Sequence, residues 1–435
     1  MKNDSSPKGV AFITLGCAKN EVDTSHMSKR LVDAGYVLID DISQADAIII
    51  NTCSFIQAAT EESIEAILDT ADLASVKSGS AKLIVAGCMP ARYGDELLDE
   101  LPEAKAFVPC SKEDDIVEVL NDIFGNQTII LDHSSSSQSA SSKEAFAYVK
   151  ISDGCDRFCS FCTIPYIRGR YHSFTLDDIA SEVEQLVYQG VKEIVLIAQD
   201  TGRWGSDFEN PSTLAYLLDT LAQRFVDTWF RVMYIQPEGV SPQLLDVIDS
   251  HDNICTYLDI PLQHVDNEIL ASMNRKGSLD EFRELLAMIR STLTDVTLRT
   301  TLIAGFPGES DEAFEALCDF VEEAEFDYVG VFPYSREEGT RAARLENQID
   351  EDTKLERAQT LRDLADTIST ARVALRIGKY YDVLVLGYEQ DGQLYGRASC
   401  QAPDVDGVTY LSSGEVGSFC RVLIEDTLLY EMEGI

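Results

Sequence analysis

Basic residues are scarce in this chain of 435 residues, which holds 35 Lys and Arg against 75 Asp and Glu, a formal net charge of −40. Affinity for nucleic acid depends largely on neutralising phosphates with Lys and Arg, so a bare RNA partner is disfavoured. A basic protein would instead be attracted by such a field. An acidic surface also serves solubility alone in many proteins, so the charge by itself does not identify a partner.

Long apolar runs and paired histidines are missing as well. No stretch is apolar for the roughly eighteen residues that a membrane span needs, and residues 1–6 lack the apolar core of a signal peptide. We therefore expect a cytoplasmic protein without a membrane partner. The five histidines show no i, i+4 pair, so a His-built metal site has little support. Without an export signal, the eleven cysteines are better explained as ligands or buried thiols than as disulfides.

Three of the cysteines, Cys155, Cys159 and Cys162, lie in one short run with the sequence GCDRFCSFC. Thiolates are the usual ligands of iron–sulfur clusters, and three of them leave one iron of a four-iron cluster open to a small molecule. Zinc is the alternative, but zinc motifs more often pair C-x2-C units, and no fourth Cys or His is nearby. The C-x3-C-x2-C spacing resembles the signature of the radical S-adenosylmethionine (SAM) enzymes. That resemblance implies that SAM binds the open iron and is cleaved to a 5′-deoxyadenosyl radical.

The hydrophobic pattern predicts an α/β chain of three domains and a linker. Residues 1–133 alternate short apolar strands with helices, which predicts a parallel α/β sheet. A Ser-rich linker follows at residues 134–142. Residues 143–374 contain six further strand and helix units, which predict a partial TIM-like (β/α)6 barrel. Residues 375–435 change to short alternating strands with Gly turns, which predicts a small antiparallel β-barrel.

Three cysteines of the first domain, Cys17, Cys53 and Cys88, each follow a predicted strand within one to three residues. Because the carboxyl ends of parallel strands share one edge of a sheet, we expect the three thiols to meet there. This predicts a second three-cysteine cluster site with one iron left open. A free cysteine is commonly only a small buried hydrophobe. Cys110 also follows a predicted strand, so it is a rival ligand that the pattern does not exclude.

Two residues of the second domain are candidate SAM contacts. Gly305 begins a Gly-Phe-Pro-Gly-Glu stretch after a predicted barrel strand, although Gly-Phe-Pro-Gly is more often only a tight turn. Phe161 lies between two predicted ligands, where it packs against either the adenine or the barrel mouth. Arg168 and Arg170 follow the cysteine-rich run. They either hold a substrate or are solvated loop charges, and we expect the latter.

The order of dispersed cysteines, C-x3-C-x2-C run and small barrel resembles the methylthiotransferase family of radical SAM enzymes over essentially the whole chain. The resemblance implies an N-terminal methylthiotransferase domain, a radical SAM barrel and a C-terminal TRAM domain. It implies that a sulfur and a methyl group are inserted into an unactivated C–H bond with SAM. It also implies two [4Fe-4S] clusters, one held by Cys17, Cys53 and Cys88, the other by Cys155, Cys159 and Cys162.

Within the family, several short sequence motifs resemble those of the branch that methylthiolates the β-carbon of an aspartate in the twelfth protein of the small ribosomal subunit. They include the stretches 16–20, 51–56, 197–201, 236–240 and 257–264, read as GCAKN, NTCSFI, IAQDT, QPEGV and YLDIPLQH. That branch implies a basic ribosomal protein as substrate and an electron-donor protein as partner. One departure is His172-Ser173-Phe174, where an Arg-Ser-Arg often follows the cluster loop. This places substrate and SAM contacts of that loop in doubt.

The alternative is the branch that modifies an adenosine of tRNA by the same chemistry. Its small barrel is typically basic, as RNA binding requires. The small barrel here carries four basic and ten acidic residues, which favours the ribosomal protein. A non-enzymatic iron–sulfur protein would explain six cysteines, but not the barrel between the two groups.

Overall fold

The computed structural model describes residues 7–125 and 145–435, and these form two compact units. The first unit contains residues 7–125 together with residues 154–156 and 162–170, and the second contains the rest. The cysteine-rich run therefore contributes residues to both units. The Ser-rich linker predicted at residues 134–142 lies outside the described residues. Within the described part, no helix is long and apolar enough to cross a membrane.

The first unit is built on a five-stranded parallel sheet of order β2-β1-β3-β4-β5. Its strands are β1 (Gly9–Thr14), β2 (Val37–Leu38), β3 (Ala47–Thr52), β4 (Lys82–Gly87) and β5 (Ala106–Pro109). Its helices are α1 (Ala18–Asp33), α2 (Gln57–Ala71), α3 (Ala74–Lys77), α4 (Cys88–Tyr93), α5 (Glu96–Glu100), α6 (Ile116–Phe124) and α7 (Ile164–Ile167).

Helices cover both faces of this sheet, which explains its near-continuous apolar strands. Ile49 and Ile84 face a cluster that contains Leu31 of α1 and Leu120 of α6. Neighbouring strand residues belong to a second cluster with Ile67 of α2. Because successive side chains of a strand point to opposite faces, a strand buried on both sides must be apolar at every position. The predicted parallel α/β sheet is therefore confirmed.

The second unit contains the predicted arc of strands and a small closed barrel. Its strands are β6 (Phe146–Lys150), β7 (Ser152–Asp153), β8 (His172–Ser173), β9 (Glu193–Ile197), β10 (Trp229–Val232), β11 (Tyr257–Asp259), β12 (Thr297–Ala304), β13 (Tyr328–Pro333), β14 (Tyr380–Tyr388), β15 (Leu394–Ala398), β16 (Thr409–Leu411), β17 (Phe419–Leu428) and β18 (Glu431–Gly434). Its helices are α8 (Leu176–Gln189), α9 (Leu214–Arg224), α10 (Pro242–Ser250), α11 (Asn267–Ser272), α12 (Leu279–Thr292), α13 (Asp311–Ala324) and α14 (Glu351–Ala374).

Two three-stranded parallel sheets, β10-β9-β6 and β11-β12-β13, form the arc. A parallel bridge between Phe230 and Ile254 joins β10 to the segment that leads into β11. Six strands, separated by helices in the sequence, thus follow one another around the arc. This is the partial (β/α)6 barrel that the strand pattern predicts. Its active-site end is expected at the carboxyl ends of the strands.

The small barrel closes in the order β14-β15-β16-β18-β17. Its neighbouring strands are antiparallel except β16 and β18, which run parallel, with Thr409 opposite Met432. Strand β18 was not predicted because its sequence, Glu431 to Gly434, alternates acidic residues with Met432 and has few strong strand formers. It is required for closure, since a closed barrel leaves no edge strand for unwanted pairing.

Buried ion pairs fasten the small barrel to the arc. Glu193, at the start of β9, accepts a hydrogen bond of 2.8 Å from Arg231 Nε and another from Arg397 of β15. Arg231 also donates to the carbonyl of Ser399, at 3.0 Å. Glu193 and Arg231 are fully buried. Burial alone would raise the pKa of Glu193, but the two guanidinium groups outweigh it and hold that pKa below its usual value.

We expect Glu193→Ala to destabilise the second unit by about 3–5 kcal/mol, because it leaves two buried arginines without their counter-charge. The midpoint of urea unfolding measures the loss. The control is Glu184→Ala, since Glu184 forms an exposed pair with Arg224. That substitution should cost about 0–1 kcal/mol. Equal midpoints for the two variants would contradict the importance of the buried group.

Candidate functional site

Four cysteines of the first unit lie at the carboxyl edge of its sheet. Cys17 immediately precedes α1 after β1, and Cys53 follows β3 directly. Cys88 is the first residue of α4, directly after β4, and Cys110 follows β5 in the same way. The structure therefore brings the three predicted ligands, and their rival, to one edge.

The thiols of Cys17, Cys53 and Cys88 are close enough to affect one another. Burial raises the pKa of Cys53 to about 11, and the Cys88 and Cys17 thiols act in the same direction. The approach of Cys17 to Cys53 requires Gly16, which has φ +94°. A Cβ at Gly16 would lie 2.5 Å from Cys53 Cβ. An unliganded Cys53 is thus held as the thiol, and its thiolate needs a compensating metal.

Cys88 has a different environment. A hydrogen bond with the Cys110 thiol, followed by the Arg168 guanidinium, holds the pKa of Cys88 below its ordinary value although burial opposes them. Cys110 Sγ also lies 3.5 Å from the carbonyl oxygen of Ile167. Cys110 therefore stands beside the three predicted ligands, and its thiol already has polar contacts within the protein.

The donor set suits an iron–sulfur cluster better than a single ion. In the part of the chain that the structure describes, no three His, Cys, Asp or Glu side chains converge on one metal ion. The thiolates of a four-iron cluster bind separate iron atoms, so they stand further apart than the ligands of one ion. Thiolates are also the ligands that such clusters prefer.

The cysteine-rich run is held at its ends within the first unit, where Cys155 and Cys162 lie. The backbone N–H of Cys155 donates to the carbonyl of Gly169, at 3.1 Å. Gly154 has φ +70°, and a Cβ there would lie 2.2 Å from the carbonyl oxygen of Arg170. Only glycine allows the two chain segments to approach so closely.

Residues directly after α11 hold the middle of the run within the second unit. The Asn274 side-chain amide donates to the carbonyls of Arg157 and Phe158, at 2.9 and 3.1 Å. Phe158 has φ +49°, so its backbone needs such support. Arg275 Nη1 lies 4.0 Å from Cys159 Sγ. Neither role could be inferred from the sequence, because Asn274 and Arg275 are far from the cysteines along the chain.

An arginine inside the run binds carboxylates from two neighbouring strand ends. Arg157 Nε donates to Asp200, which follows β9, at 2.5 Å, and Arg157 Nη1 donates to Glu238 at 2.9 Å. Burial raises the pKa of Asp200, although Arg157 opposes the shift. This arrangement ties the loop that carries Cys159 to the predicted active-site end of the arc. The position of Arg157 between two cysteines was the signal that could have found it.

Several buried polar atoms at the same strand ends lack a hydrogen-bond partner. Among the described residues, both side-chain amide atoms of Gln199, Oε1 of Gln236 and Oδ1 of Asp200 have no hydrogen-bond partner. Buried polar groups are normally satisfied, so these atoms are candidates for hydrogen bonds with a bound molecule. The residues present therefore fit a polar ligand such as SAM.

Phe161 and Gly305 each have a structural role. Phe161 packs against the cluster that contains Phe306 and Met273, which is the barrel-mouth contact considered for it. Gly305 has φ +75°, and a Cβ there would lie 2.5 Å from Lys354 Cγ. The Gly305 N–H donates to the Glu309 carboxylate at 3.0 Å. Contacts of Phe161 and Gly305 with SAM remain predictions.

The expectation that Arg168 is a solvated charge is wrong. Its side chain is 2% exposed and forms an ion pair of 2.8 Å with Asp23. Arg170 is 76% exposed and pairs with Asp156, as expected of a loop charge. Only one glycine separates the two arginines in the sequence. Their different exposure results from the way α7 packs within the first unit.

Three family models match consecutive parts of the chain. The uncharacterised protein family UPF0004 matches residues 9–109, the radical SAM superfamily matches residues 149–321, and the TRAM domain matches residues 377–435. They cover the parallel sheet, most of the arc and the small closed barrel in turn.

Full-length relatives decide the family. The chain is 41% identical over 436 residues to the ribosomal protein uS12 methylthiotransferase RimO of Clostridioides difficile (strain 630), with 98% of both chains covered. Its identity to the protein of the same name from Trichlorobacter lovleyi is 40%, with 97% of both chains covered. The chain belongs to the RimO family of radical SAM methylthiotransferases.

Solved structures of other radical SAM enzymes share the fold of this RimO-family chain. The radical SAM methyltransferase TsrM of Kitasatospora setae, solved with cobalamin and a [4Fe-4S] cluster, has a TM-score of 0.56 at 13% identity. The match covers 76% of this chain and 73% of that one. The cobalamin-dependent SAM radical enzyme OxsB, solved with aqua-cobalamin and SAM, has a TM-score of 0.52 at 12% identity. The match covers 83% of this chain and 56% of that one. At these identities the likeness concerns the fold alone.

We expect Asn274→Ala to loosen the loop around Phe158, because two backbone carbonyls lose their hydrogen-bond donor, at a cost of about 1–3 kcal/mol. Hydrogen exchange of the amides of residues 157–161 in this RimO-family protein should become faster. The matched control is Asn267→Ala, since Asn267 is an exposed residue in the first turn of α11. Equal exchange in the two variants would show that Asn274 does not hold the loop.

Proposed function

We propose that the chain transfers a methylthio group from a cluster-bound sulfur to the β-carbon of an aspartate in ribosomal protein uS12. The observation that carries the proposal is the pair of three-thiol groups, one at the edge of a parallel sheet and one in a single loop. Full-length relatives named as uS12 methylthiotransferases support the same conclusion. The domains we propose are residues 1–133, 143–374 and 375–435, which agree with the three matched regions.

In this proposal Cys17, Cys53 and Cys88 hold one [4Fe-4S] cluster, and the three cysteines of the C-x3-C-x2-C run hold the other. Each group supplies three thiolates, which leaves one iron of each cluster for a small molecule. When bound, the clusters and SAM supply the methylthio group and the 5′-deoxyadenosyl radical. Hydrogen-atom transfer needs no acid–base pair, which agrees with the thiol-rich character of both groups.

The residues of the second unit would bind SAM and fix the loop. Gln199, Gln236 and Asp200 offer unfilled hydrogen-bonding atoms to the polar end of SAM. Asn274 and Arg275 hold the backbone and thiol of the residues around Cys159. These groups orient the reactants and exclude water, which matters because a misplaced radical reacts with whatever it meets.

The charge of the small barrel supports a basic protein substrate. An open groove of about 810 Å³ on this barrel is lined by four carboxylates and two tyrosines, namely Glu389, Asp391, Glu425, Glu433, Tyr388 and Tyr410. Such a groove attracts Lys and Arg side chains and repels phosphates. A ribosomal protein substrate places the enzyme in the cytoplasm, where an electron-donor protein would reduce the clusters. Adenosine of tRNA is the alternative substrate.

The decisive test is mass spectrometry after anaerobic incubation of the reconstituted protein with SAM, a reductant and either uS12 or unmodified tRNA. We expect one aspartate of uS12 to gain the mass of one sulfur atom and one methylene. A gain on tRNA alone would transfer the function to the alternative substrate. SAM cleavage without either product would contradict both substrates.

Cysteine variants test the ligand assignment. Cys53→Ala should lose about half of the iron, because one of two equal clusters is lost, while SAM cleavage continues without methylthio transfer. Cys159→Ala should lose a similar share of iron and all SAM cleavage. Cys110→Ala and the control Cys318→Ala, which removes a thiol packed against the hydrophobic core, should keep their iron. Iron loss in Cys110→Ala would make Cys110 a ligand.

A further inference from the structure

A buried arginine lies in the segment of the first unit that begins at the third cysteine of the run. We call residues 162–170 the anchor segment. Arg168 Nη2 donates to Asp23 Oδ2 at 2.8 Å and to Asn20 Oδ1 at 2.9 Å, and it lies 3.9 Å from Cys88 Sγ. The side chains of Arg168 and Asp23 are 2% and 1% exposed. The guanidinium is therefore enclosed beside one of the proposed ligands.

Asn20, the second partner of Arg168, is itself fixed to two strand ends. Its side-chain amide donates to the carbonyls of Leu15 and Thr52, at 2.8 and 3.0 Å. Leu15 follows β1 and precedes Cys17, and Thr52 ends β3 directly before Cys53. Through Asn20, Arg168 is thus connected to the backbone beside Cys17 and to the backbone beside Cys53. Its own Nη2 contacts Cys88.

Two further contacts hold the anchor segment along its length. Thr163 Oγ1 donates to the carbonyl of Phe55, two residues after Cys53, at 3.2 Å. The carbonyl of Ile167 accepts from Cys110 Sγ at 3.5 Å. Arg168 is the only charged residue among these three attachments, and the two hydrogen bonds of its Nη2, to Asp23 and Asn20, fix the position of the guanidinium.

The anchor segment begins at Cys162 and returns to Cys155, because the Cys155 N–H donates to Gly169. Two proposed ligands of the SAM-cleaving cluster are therefore attached to a segment that also makes the three contacts described above, through Thr163, Ile167 and Arg168, beside the second group of thiols. A buried ion pair is a poor way to gain stability, since desolvation consumes most of the Coulombic attraction. We therefore explain the Arg168–Asp23 ion pair by its effect on geometry, since it fixes one specific position of the anchor segment.

We propose that Arg168 is a positioning residue that sets the separation of the two clusters. By holding the anchor segment against Asn20 and Asp23, it keeps the site of radical formation within reach of the methylthio group. This inference rests on the proposed function. Arg168 itself exchanges no proton or electron in it. Its loss would leave SAM cleavage intact but misdirect the radical, since a displacement of about 1 Å is enough to cost roughly 100-fold in a positioned reaction.

The test compares Arg168→Met and Arg168→Lys with Arg30→Met. Arg30 lies on α1, as Asp23 does, but its pair with Asp114 is exposed, so the control removes one charge at the surface. In Arg168→Met we expect the ratio of 5′-deoxyadenosine to methylthiolated uS12 to rise roughly 100-fold at an unchanged rate of SAM cleavage. Arg168→Lys keeps the charge but not the guanidinium group. Its ratio should lie between those of Arg168→Met and the wild type.

Two measurements do not depend on turnover. In the metal-free protein, the amides of residues 162–170 should exchange faster in Arg168→Met than in Arg30→Met. In the doubly reduced holoenzyme, the spin–spin broadening of the electron paramagnetic resonance signal should change, because the clusters move relative to one another. If Arg168→Met does not fold, the same measurements on Arg168→Lys decide the question.

Unchanged exchange and unchanged spin–spin broadening in a folded Arg168 variant would overturn the positioning role. A proportional loss of SAM cleavage and methylthio transfer would overturn it too, since that pattern indicates general damage. If the wild-type protein cleaves SAM but methylthiolates nothing, the proposed function fails instead. The exchange and resonance results then still decide the role of Arg168.

Discussion

Parallel strands end at one edge of their sheet, and the candidate chemistry of the first unit depends on this constraint. Cys17, Cys53 and Cys88 belong to separate segments of the chain and become neighbours only because β1, β3 and β4 are adjacent in the sheet. The apolar cores on both faces keep those strands in register. A substitution in the sheet interior that shifts a strand is therefore expected to shift the thiol at its end as well.

Seven of the 35 basic residues are buried in the part of the chain that the structure describes. Arg231 pairs with Glu193, Arg376 with Asp327 and Arg168 with Asp23, each at a nearly fully buried position. The carboxylates that remain in excess lie outside. A chain with a net charge of −40 thus uses buried cations to fix its internal geometry and presents an acidic surface to solvent.

Most of the fold, but only part of the site, could be predicted from the sequence. Continuous apolar runs such as residues 47–50 between helical stretches predict buried parallel strands, and cysteines that follow such strands are then expected at the sheet edge. The roles of Asn274 and Arg168 could not be predicted, because a polar side chain acquires its partners from distant segments. Strand β18 was missed for a related reason, since its pairing with β16 is a property of the closed barrel.

Buried hydrogen bonds attach the small barrel firmly to the arc of strands. They join Glu193 to Arg397 and Arg231 to Ser399. Here a transplanted barrel would have to bring a cation to the place of Arg397, or Glu193 would be buried with less compensating charge. The outer surface of this barrel can therefore change in sequence, while its inner face is constrained by the arc of strands on which it sits.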